Sequence, residues 1–273
     1  MRTASSVVGH EKLASPERDR SSMTRLWILS DLHLEAVPHP DAFRPKRPEF
    51  DVLVVAGDVW QGDIDRAMRT VVGLADGKPA VFVLGNHEFW NHQVDRQRQS
   101  ARRAADRHGV LLLDDTSHDL AGLRFVGGTL WGDGQLAGRH ATPDLPTGER
   151  IMAGEGKAAH PITNKDQSAL HRITRSVTEV ATAVPDPRPL VVVTHHAPHP
   201  SCLPVAHRTG WVAGHSASDL SHLTDSGRIA LWVHGHTHET TDQIRPGGTR
   251  IVSNAAGPGF TNLAFRDDWV LEL

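Results

Sequence analysis

The sequence has little of what several protein classes require. It contains a single cysteine, Cys202, so an intramolecular disulfide and a cysteine-rich zinc cluster are both excluded. None of its apolar runs approaches the ~20 residues that a transmembrane helix needs. The formal net charge is only −3, so the composition does not imply a general attraction to nucleic acid or to an anionic membrane. No membrane partner is therefore expected.

The first part of the chain also lacks the apolar centre of a signal peptide. We predict that residues 1–22, which are polar, form a disordered N-terminal extension and that the protein is cytoplasmic. Residues 23–273 contain no internal repeat, low-complexity tract or clear linker, and their length suits one large domain.

Histidine, in contrast, is abundant, with 19 residues. Histidines that merely decorate a surface should be scattered, whereas several here follow short apolar runs. Such runs are typical of buried β-strands. The runs are 26–29, 52–55, 80–83, 190–194 and 229–233, and each is followed by Gly, Asp, Asn or His. The stretch Gly85-Asn86-His87-Glu88 is the most unusual, because an amide and an imidazole are costly to bury without partners.

Helical spacing of apolar residues separates some of these runs. It predicts one helix between residues 64 and 74 and another between 170 and 184, each with one face packed on a sheet. The apolar face of the second consists of Leu170, Ile173, Val177, Val180, Ala181 and Val184. A third predicted helix, within 91–108, is rich in arginine; its charged face is either solvated or in contact with a polyanionic substrate.

Two segments follow no regular period. Residues 132–165 are typical of a lid, a substrate-binding insertion or a disordered stretch. Residues 199–214 form a second irregular segment. Trp131 and Asp133 are candidates to line a cleft, and His199 and His215 are candidates to touch substrate.

The polar residues at the strand ends are suited to metal binding. In open α/β sheets, ligands collect beyond the carboxyl ends of the strands. The five ends carry Asp31 and His33, Asp58, Asn86 and His87, His195 or His196, and His236 and His238. In the first and last of these pairs, residues two apart can project to the same side of extended backbone. Mixed oxygen and imidazole donors suit Mn, Fe, Zn or Co better than Ca or Mg.

A pair of metals would give this set of residues a chemical purpose. One carboxylate, such as that of Asp58, can bridge two cations. Two metals ~3.5–4 Å apart can stabilise both the attacking and the leaving oxygen of an in-line displacement. A hydroxide between them would be a strong nucleophile, since water bound to a catalytic zinc has a pKa of about 7.

Taken together, the motifs resemble those of the calcineurin-like metallophosphoesterase superfamily. They are Asp31-Leu32-His33, Gly57-Asp58, Gly85-Asn86-His87-Glu88, Thr194-His195-His196 and Gly235-His236-Thr237-His238. The resemblance extends from about Leu26 to Asn254. It implies an α/β fold in which two facing mixed β-sheets are flanked by helices, as a four-layer α/β/β/α sandwich.

The resemblance also implies a role for each motif residue. One metal would be held by Asp31, His33, Asp58 and His238, and the second by Asp58, Asn86, His195 and His236. His195 matches the family position, but the adjacent His196 leaves that choice open. His87 would not be a ligand; it would protonate the leaving oxygen or stabilise the charge that develops on phosphorus.

The family pattern is not followed at every position. Gln61 stands three residues after Asp58, where the family often has an acidic residue or Asn, so a contact around the ligands is in doubt. Glu88 replaces the commoner Asp and is expected to orient an imidazole.

We therefore predict a dinuclear metal-dependent hydrolase of phosphate esters with two divalent or trivalent ions (Mn, Fe or Zn). It would act on a small phosphorylated substrate, a monoester or a diester, by in-line attack of a metal-bridging hydroxide. A nuclease or nucleotide phosphodiesterase is one alternative, although the balanced charge and the lack of interleaved basic and aromatic residues argue against long nucleic acid. A non-catalytic metal-binding scaffold is the other, although the expected ligand set is complete.

Overall fold

The computed structural model describes residues 23–138 and 150–273, so the predicted extension, residues 1–22, lies outside the described residues. The strands are β1 (Arg25–Leu29), β2 (Val52–Val55), β3 (Ala80–Phe82), β4 (His92–Gln93), β5 (Leu111–Leu112), β6 (Thr116–Leu120), β7 (Leu123–Gly128), β8 (Ile151–Ala153), β9 (His160–Pro161), β10 (Leu190–Thr194), β11 (Leu231–His234), β12 (Thr240–Ile244), β13 (Arg250–Asn254) and β14 (Val270–Glu272). The helices are α1 (Ile64–Ala75), α2 (Val94–His108), α3 (Asn164–Ala183), α4 (Trp211–Ser216) and α5 (Ser221–Thr224).

Two mixed sheets face each other across a shared apolar core. The strand order is β14-β1-β2-β3-β5 in the first sheet and β12-β13-β11-β10-β7-β6 in the second. Antiparallel strands stand at one edge of the first sheet and at both edges of the second, and the others are parallel. Ile28, Val54 and Val81 of the first sheet share one fully buried cluster with Phe125 and Val193 of the second. The predicted pair of facing mixed sheets is confirmed.

Helices cover the outer face of each sheet. Met68 of α1 packs in one buried cluster with Trp27 and Leu53, on the outer side of the first sheet. Leu223 of α5 packs with Trp232 on the outer side of the second sheet. This arrangement is the expected four-layer α/β/β/α sandwich.

The carboxyl ends of the central strands meet at one edge of the sandwich. β1, β2 and β3 are parallel neighbours, and so are β10 and β11. At that edge, Ser30 forms a parallel bridge with Ala255, which follows β13, and thereby links the two sheets. Polar residues that follow these strands are therefore delivered to a common place.

Helix α3 forms where it was predicted, but its packing face was predicted only in part: Leu170, Val177 and Ala181 are half-buried against the core, whereas the fully buried positions are polar. The buried positions are Gln167, His171, Thr174, Thr178 and Thr182. On the predicted apolar face, Ile173 is 47% and Val180 is 64% exposed. The polar face can be buried because its groups are satisfied: the hydroxyl of Thr174, for example, donates to Asp115 at 2.5 Å. Gly128 of β7, which has no side chain, leaves room for the methyl group of Thr174.

The arginine-rich face of α2 takes part in ion pairs. Arg98 Nε lies 2.7 Å from one oxygen of Asp114, and Arg102 Nε lies 2.6 Å from the other. Arg98 also pairs with Asp115. These contacts favour a structural role for the face over contact with a polyanionic substrate.

The irregular segment 132–165 contains more structure than its lack of period indicated. β8 and β9 pair with each other, and β8 pairs with β4, to form a small three-stranded sheet. Residues 139–149 of this segment lie outside the described residues. In the described ranges, no helix combines the length and apolar character needed to cross a bilayer.

A matched pair of valine substitutions, one in the core and one on α3, tests whether the Val180 face of α3 is exposed in solution. Val192→Ala removes two methyl groups from a fully buried strand position and should lower the free energy of unfolding by about 2 kcal/mol. Val180→Ala, on the exposed face of α3, should change it by less than about 0.5 kcal/mol. Equilibrium urea unfolding, followed by tryptophan fluorescence, measures both. A loss of more than about 0.5 kcal/mol in the free energy of unfolding of Val180→Ala would show that this face is covered in solution.

Candidate metal centre

The chain leaves the strands through tight turns in the left-handed region. Positive φ angles occur at Asp31 (51°), His33 (42°), Asp58 (55°), His236 (67°) and His238 (53°). For residues with a side chain this conformation costs about 1 kcal/mol or more each, so surrounding contacts must hold it. The expectation that residues two apart share one side of extended backbone was wrong, because β1 and β11 end before their motifs begin.

Two motif glycines allow these turns to approach one another. A Cβ built on Gly85 would overlap the carboxylate of Asp58. A Cβ built on Gly235 would overlap the side chains of Ser30 and Asp31. Any larger residue at either position would therefore push a carboxylate out of place.

The buried carboxylate of Glu88 connects the turn at Gly85 with the turn at Asp58. One carboxylate oxygen accepts from the N–H groups of Gly85 (2.7 Å) and Asp58 (2.9 Å). The other accepts from the N–H groups of Val59 (2.7 Å) and Trp60 (3.2 Å). Burial raises the pKa of Glu88 to about 7. The expectation that Glu88 orients an imidazole was wrong, because backbone N–H groups occupy both of its oxygens.

Backbone N–H groups also orient the two motif aspartates. The N–H of His236 lies 2.9 and 3.0 Å from the two oxygens of Asp31. The N–H of His87 donates to Asp58 Oδ1 at 2.9 Å. Asp58 Oδ2, however, is buried and accepts no hydrogen bond from any residue in the described ranges.

A first cluster of possible ligands surrounds Asp58 Oδ2 on one side. Ligand atoms of Asp31, His33, Asp58 and His238 all lie within 4.8 Å of one another. His33 Nε2 is 3.5 Å from Asp58 Oδ2 and 3.1 Å from His238 Nε2. His33 Nδ1 is 3.0 Å from the Glu35 carboxylate. Because an ionised carboxylate can only accept, Nδ1 carries a proton, and Nε2 of the neutral ring directs a lone pair into the cluster.

A second cluster lies on the other side of Asp58 Oδ2. His195 Nε2 is 3.2 Å from this oxygen and 3.0 Å from Asn86 Oδ1. His236 Nδ1 is 2.9 Å from Asn86 Oδ1. His195 Nδ1 is 2.8 Å from the carbonyl oxygen of Ala56, which can only accept, so that nitrogen carries a proton. The lone pair of a neutral His195 therefore faces two oxygens, an arrangement that a cation would stabilise.

The electrostatics favour positive charge in this position. Burial lowers the pKa of His195, but the carboxylates of Asp58 and Asp31 outweigh burial and raise it to about 9. Burial likewise opposes charge on His33. Its hydrogen bond to Glu35 and the nearby carboxylate of Asp58 outweigh burial and raise the pKa of His33 to about 9. A metal ion would replace these protons. The mixed carboxylate, amide and imidazole donors fit a pair of transition-metal ions.

The adjacent residues His195 and His196 lie in different environments. His195 faces Asp58 and Asn86, as described above, whereas His196 stacks on His236 with ring centroids 4.1 Å apart. His196 Nδ1 is 3.2 Å from the carbonyl oxygen of Thr129. Burial, together with the neighbouring His195, lowers the pKa of His196 to about 3. His195 alone faces the oxygens of Asp58 and Asn86, but ring nitrogens of His195, His196 and His236 lie within 4.8 Å of one another, so His196 also borders the second cluster.

His87 stands at the edge of the first cluster. Its ring stacks on Trp90 at 4.1 Å and meets His33 edge-on at 4.5 Å. Burial lowers the pKa of His87, an effect that the Asp58 carboxylate opposes. Nδ1 is buried and has no hydrogen-bond partner in the described ranges, while about a fifth of the side chain is exposed. The solvent-facing part of the ring therefore lies away from Nδ1.

Among the other candidates, Trp131 lies near the site, with its ring 5.7 Å from that of His196. Asp133 instead approaches His171 of α3, at 3.9 Å. His199 accepts a hydrogen bond from the N–H of Ser201. Sequence reasoning missed Glu35 and Trp90. The acidic residue two positions after His33 was a visible signal, whereas the stacking of Trp90 on His87 had none.

Comparisons with known proteins identify the family of the chain. Residues 24–240 match the family model described as calcineurin-like phosphoesterase, which confirms the resemblance read from the motifs. The chain is 24% identical to an uncharacterized protein of Acanthamoeba polyphaga mimivirus, over 86% of this chain and 91% of that protein.

Of two similar solved structures, the first shares the fold of this chain. The structure of phosphopantetheinyl hydrolase from Mycobacterium tuberculosis has a TM-score of 0.69 and 18% identity, covering 92% of this chain and 96% of that one. A dimetal phosphatase from Danio rerio aligns with a TM-score of 0.46 and 15% identity, over 88% of this chain and 90% of that one.

The raised pKa values predict that metal binding releases protons. With pKa values of about 9, the rings of His33 and His195 are expected to take up protons at pH 7 in the metal-free protein. Binding of manganese should release about two protons per chain, and the apparent affinity should rise as the pH increases from 6.5 to 8. Titration calorimetry in buffers with different ionisation enthalpies counts these protons. An affinity independent of pH would show that neither ring holds a proton before the metal binds.

Proposed function

Because the chain belongs to the calcineurin-like phosphoesterase family, we propose that it is a dinuclear metal-dependent hydrolase of phosphate esters. One observation carries the proposal. Asp58 Oδ2 is buried, accepts no hydrogen bond from the described residues, and lies 3.5 Å from His33 Nε2 and 3.2 Å from His195 Nε2. A carboxylate oxygen between two sets of donors is suited to bridge two cations.

The ligand sets follow from the two clusters. Asp31, His33, Asp58 and His238 would hold one ion, and Asp58, Asn86, His195 and His236 would hold the other. When bound, the two ions (Mn, Fe or Zn) would neutralise phosphoryl charge and lower the pKa of water. The N–H of His87 would keep Asp58 Oδ1 engaged, so that Oδ2 remains directed between the clusters.

His87 would act on the leaving group. In the reaction, a water oxygen bonds to phosphorus and loses its proton as the bond to the alcohol oxygen breaks. The protonated form of His87 would donate the proton that the departing alcohol oxygen takes up. Trp90, stacked on the ring, would hold its plane toward the cleft.

The charged face of α2 bears on the class of substrate. Part of the arginine-rich face of α2 pairs with acidic side chains, so this face does not offer the positive groove that long nucleic acid requires. A small phosphorylated molecule in the cytoplasm therefore remains our proposed substrate. Because a structurally similar protein is a phosphopantetheinyl hydrolase, an ester of the phosphopantetheinyl group belongs among the diesters to be tested.

A combined metal and substrate measurement tests the proposal. The purified protein should contain two metal ions per chain and hydrolyse at least one class in a panel of phosphomonoesters and diesters. Asp58→Asn keeps an acceptor for the N–H of His87 but removes the bridging oxygen. It should lose metal and reduce the rate by roughly 10²–10³-fold. Bound metal without hydrolysis of any ester would support the scaffold alternative, and hydrolysis of polynucleotides alone would support the nuclease.

His87→Ala separates proton donation from metal binding. The variant should keep both metals, because its ring lies outside the two proposed ligand sets. It should lose roughly 10²-fold or more in rate on an alkyl phosphate, whose alcohol leaves poorly without a proton. His118→Ala, at an exposed position on β6, is the matched control. Loss of metal from His87→Ala, measured by mass spectrometry of the metals, would show instead that His87 is a ligand.

A further inference from the structure

A carboxylate outside both proposed ligand sets lies between the first cluster and His87. Glu35 belongs to the short 3-10 turn Leu34–Ala36 that follows β1. Its Oε1 is 3.0 Å from His33 Nδ1 and 3.8 Å from His87 Nδ1. Ligand-type atoms of these three side chains lie within 4.8 Å of one another. Glu35 is therefore placed to interact with a metal ligand and with the proposed proton donor at once.

The backbone of the neighbouring turn holds this carboxylate. Glu35 Oε2 accepts a hydrogen bond from the N–H of Gln61 at 3.2 Å. Gln61 is the position, three residues after Asp58, where the related motif often has an acidic residue or Asn. Here that position contributes a backbone donor, and the carboxylate comes from the turn after β1.

The ring of His87 has an unused nitrogen on the side of Glu35. Nδ1 is buried without a hydrogen-bond partner in the described ranges, and a buried imidazole nitrogen left unpaired is costly. Stacking on Trp90 defines the plane of the ring. Catalytic hydrogen bonds are often long in free enzymes and tighten when substrate binds. At 3.8 Å, Nδ1 and Oε1 lie just beyond hydrogen-bond distance in the free protein.

We propose that Glu35 is a positioning residue for His87: its carboxylate accepts from Nδ1–H of the protonated ring, so that Nε2–H, whose proton is donated, faces the leaving oxygen. This inference rests on the proposed phosphoesterase function. The same oxygen accepts from His33 Nδ1 and so keeps the Nε2 of that ring directed at Asp58. One carboxylate thereby sets the orientation of both a metal ligand and the proton donor.

A purely structural role for Glu35 has a different signature. If Glu35 supported only His33, its loss would weaken metal binding and slow every substrate by the same factor. If Glu35 also positions His87, the decrease in rate on removing Glu35 must depend on the leaving group, because only poor leaving groups need the proton. The two roles can therefore be separated by varying the alcohol while the metal content is monitored.

The first experiment compares aryl and alkyl phosphates hydrolysed by the metal-loaded parent, Glu35→Gln, His87→Ala and the double variant. Glu35→Gln keeps an acceptor of the same shape for His33 and should retain two metals, but its uncharged amide stabilises a protonated His87 less well than a carboxylate does. It should lose about tenfold in kcat on an alkyl phosphate and less than about twofold on a dinitrophenyl phosphate, with little change in KM. In the His87→Ala background it should cause no further loss.

The control is Glu49→Gln, which removes an exposed carboxylate from the connection between β1 and β2. It should behave like the parent on every substrate. Equal losses of Glu35→Gln on all leaving groups, or multiplication of its effect with that of His87→Ala, would overturn the proposal.

A second readout does not depend on turnover. In ¹⁵N-labelled, zinc-loaded protein, the ring-nitrogen shifts of His87 should report a proton on Nδ1, and Glu35→Ala, which removes the acceptor altogether, should move the neutral ring toward the Nε2–H tautomer. An unchanged tautomer would overturn the positioning role. If no ester is hydrolysed, the phosphoesterase proposal fails, whereas this measurement still decides whether Glu35 holds the ring.

Discussion

One buried oxygen atom accounts for much of the construction of this site. Asp58 Oδ2 lies between two imidazole groups and receives no hydrogen bond from the described residues. An unpaired buried acceptor costs about 1–3 kcal/mol, and more when it carries charge. This cost arises where the carboxyl ends of the strands of the two sheets meet. Positive charge, supplied by protons or by metal ions, removes it.

The rest of the site serves to keep that oxygen in place. The turns that carry the ligands lie in a backbone region that residues with side chains avoid, so they would relax without support. Glu88 supplies support through four backbone hydrogen bonds beneath the turns. The bridge between Ser30 and Ala255 joins the two sheets at the same edge. Strain in the turns is therefore opposed by hydrogen bonds from a rigid framework.

Sequence patterns predicted the features that depend on composition and order. Buried strands such as β2 and β10 are apolar at nearly every position, and the polar residues that follow them were expected at one edge. Strands β6 and β12 were missed, because edge strands are half exposed and carry polar residues such as Asp119 and Asp242. The buried face of α3 was predicted only in part, for a related reason. Its threonines are buried through hydrogen bonds and a glycine-lined strand, which hydrophobic periodicity does not report.

The contacts around the ligands were the least predictable, because they depend on which turn reaches which. Glu88 follows His87 directly, yet it bonds to the backbone of a turn near residue 58. Glu35 follows His33 by two residues, yet it lies beside His87 and receives the N–H of Gln61. In the proposed mechanism a carboxylate orients His87, and such a carboxylate can come from any turn that reaches that place. A departure at one motif position can therefore be compensated from another turn, and geometry rather than position in a motif identifies the compensating residue.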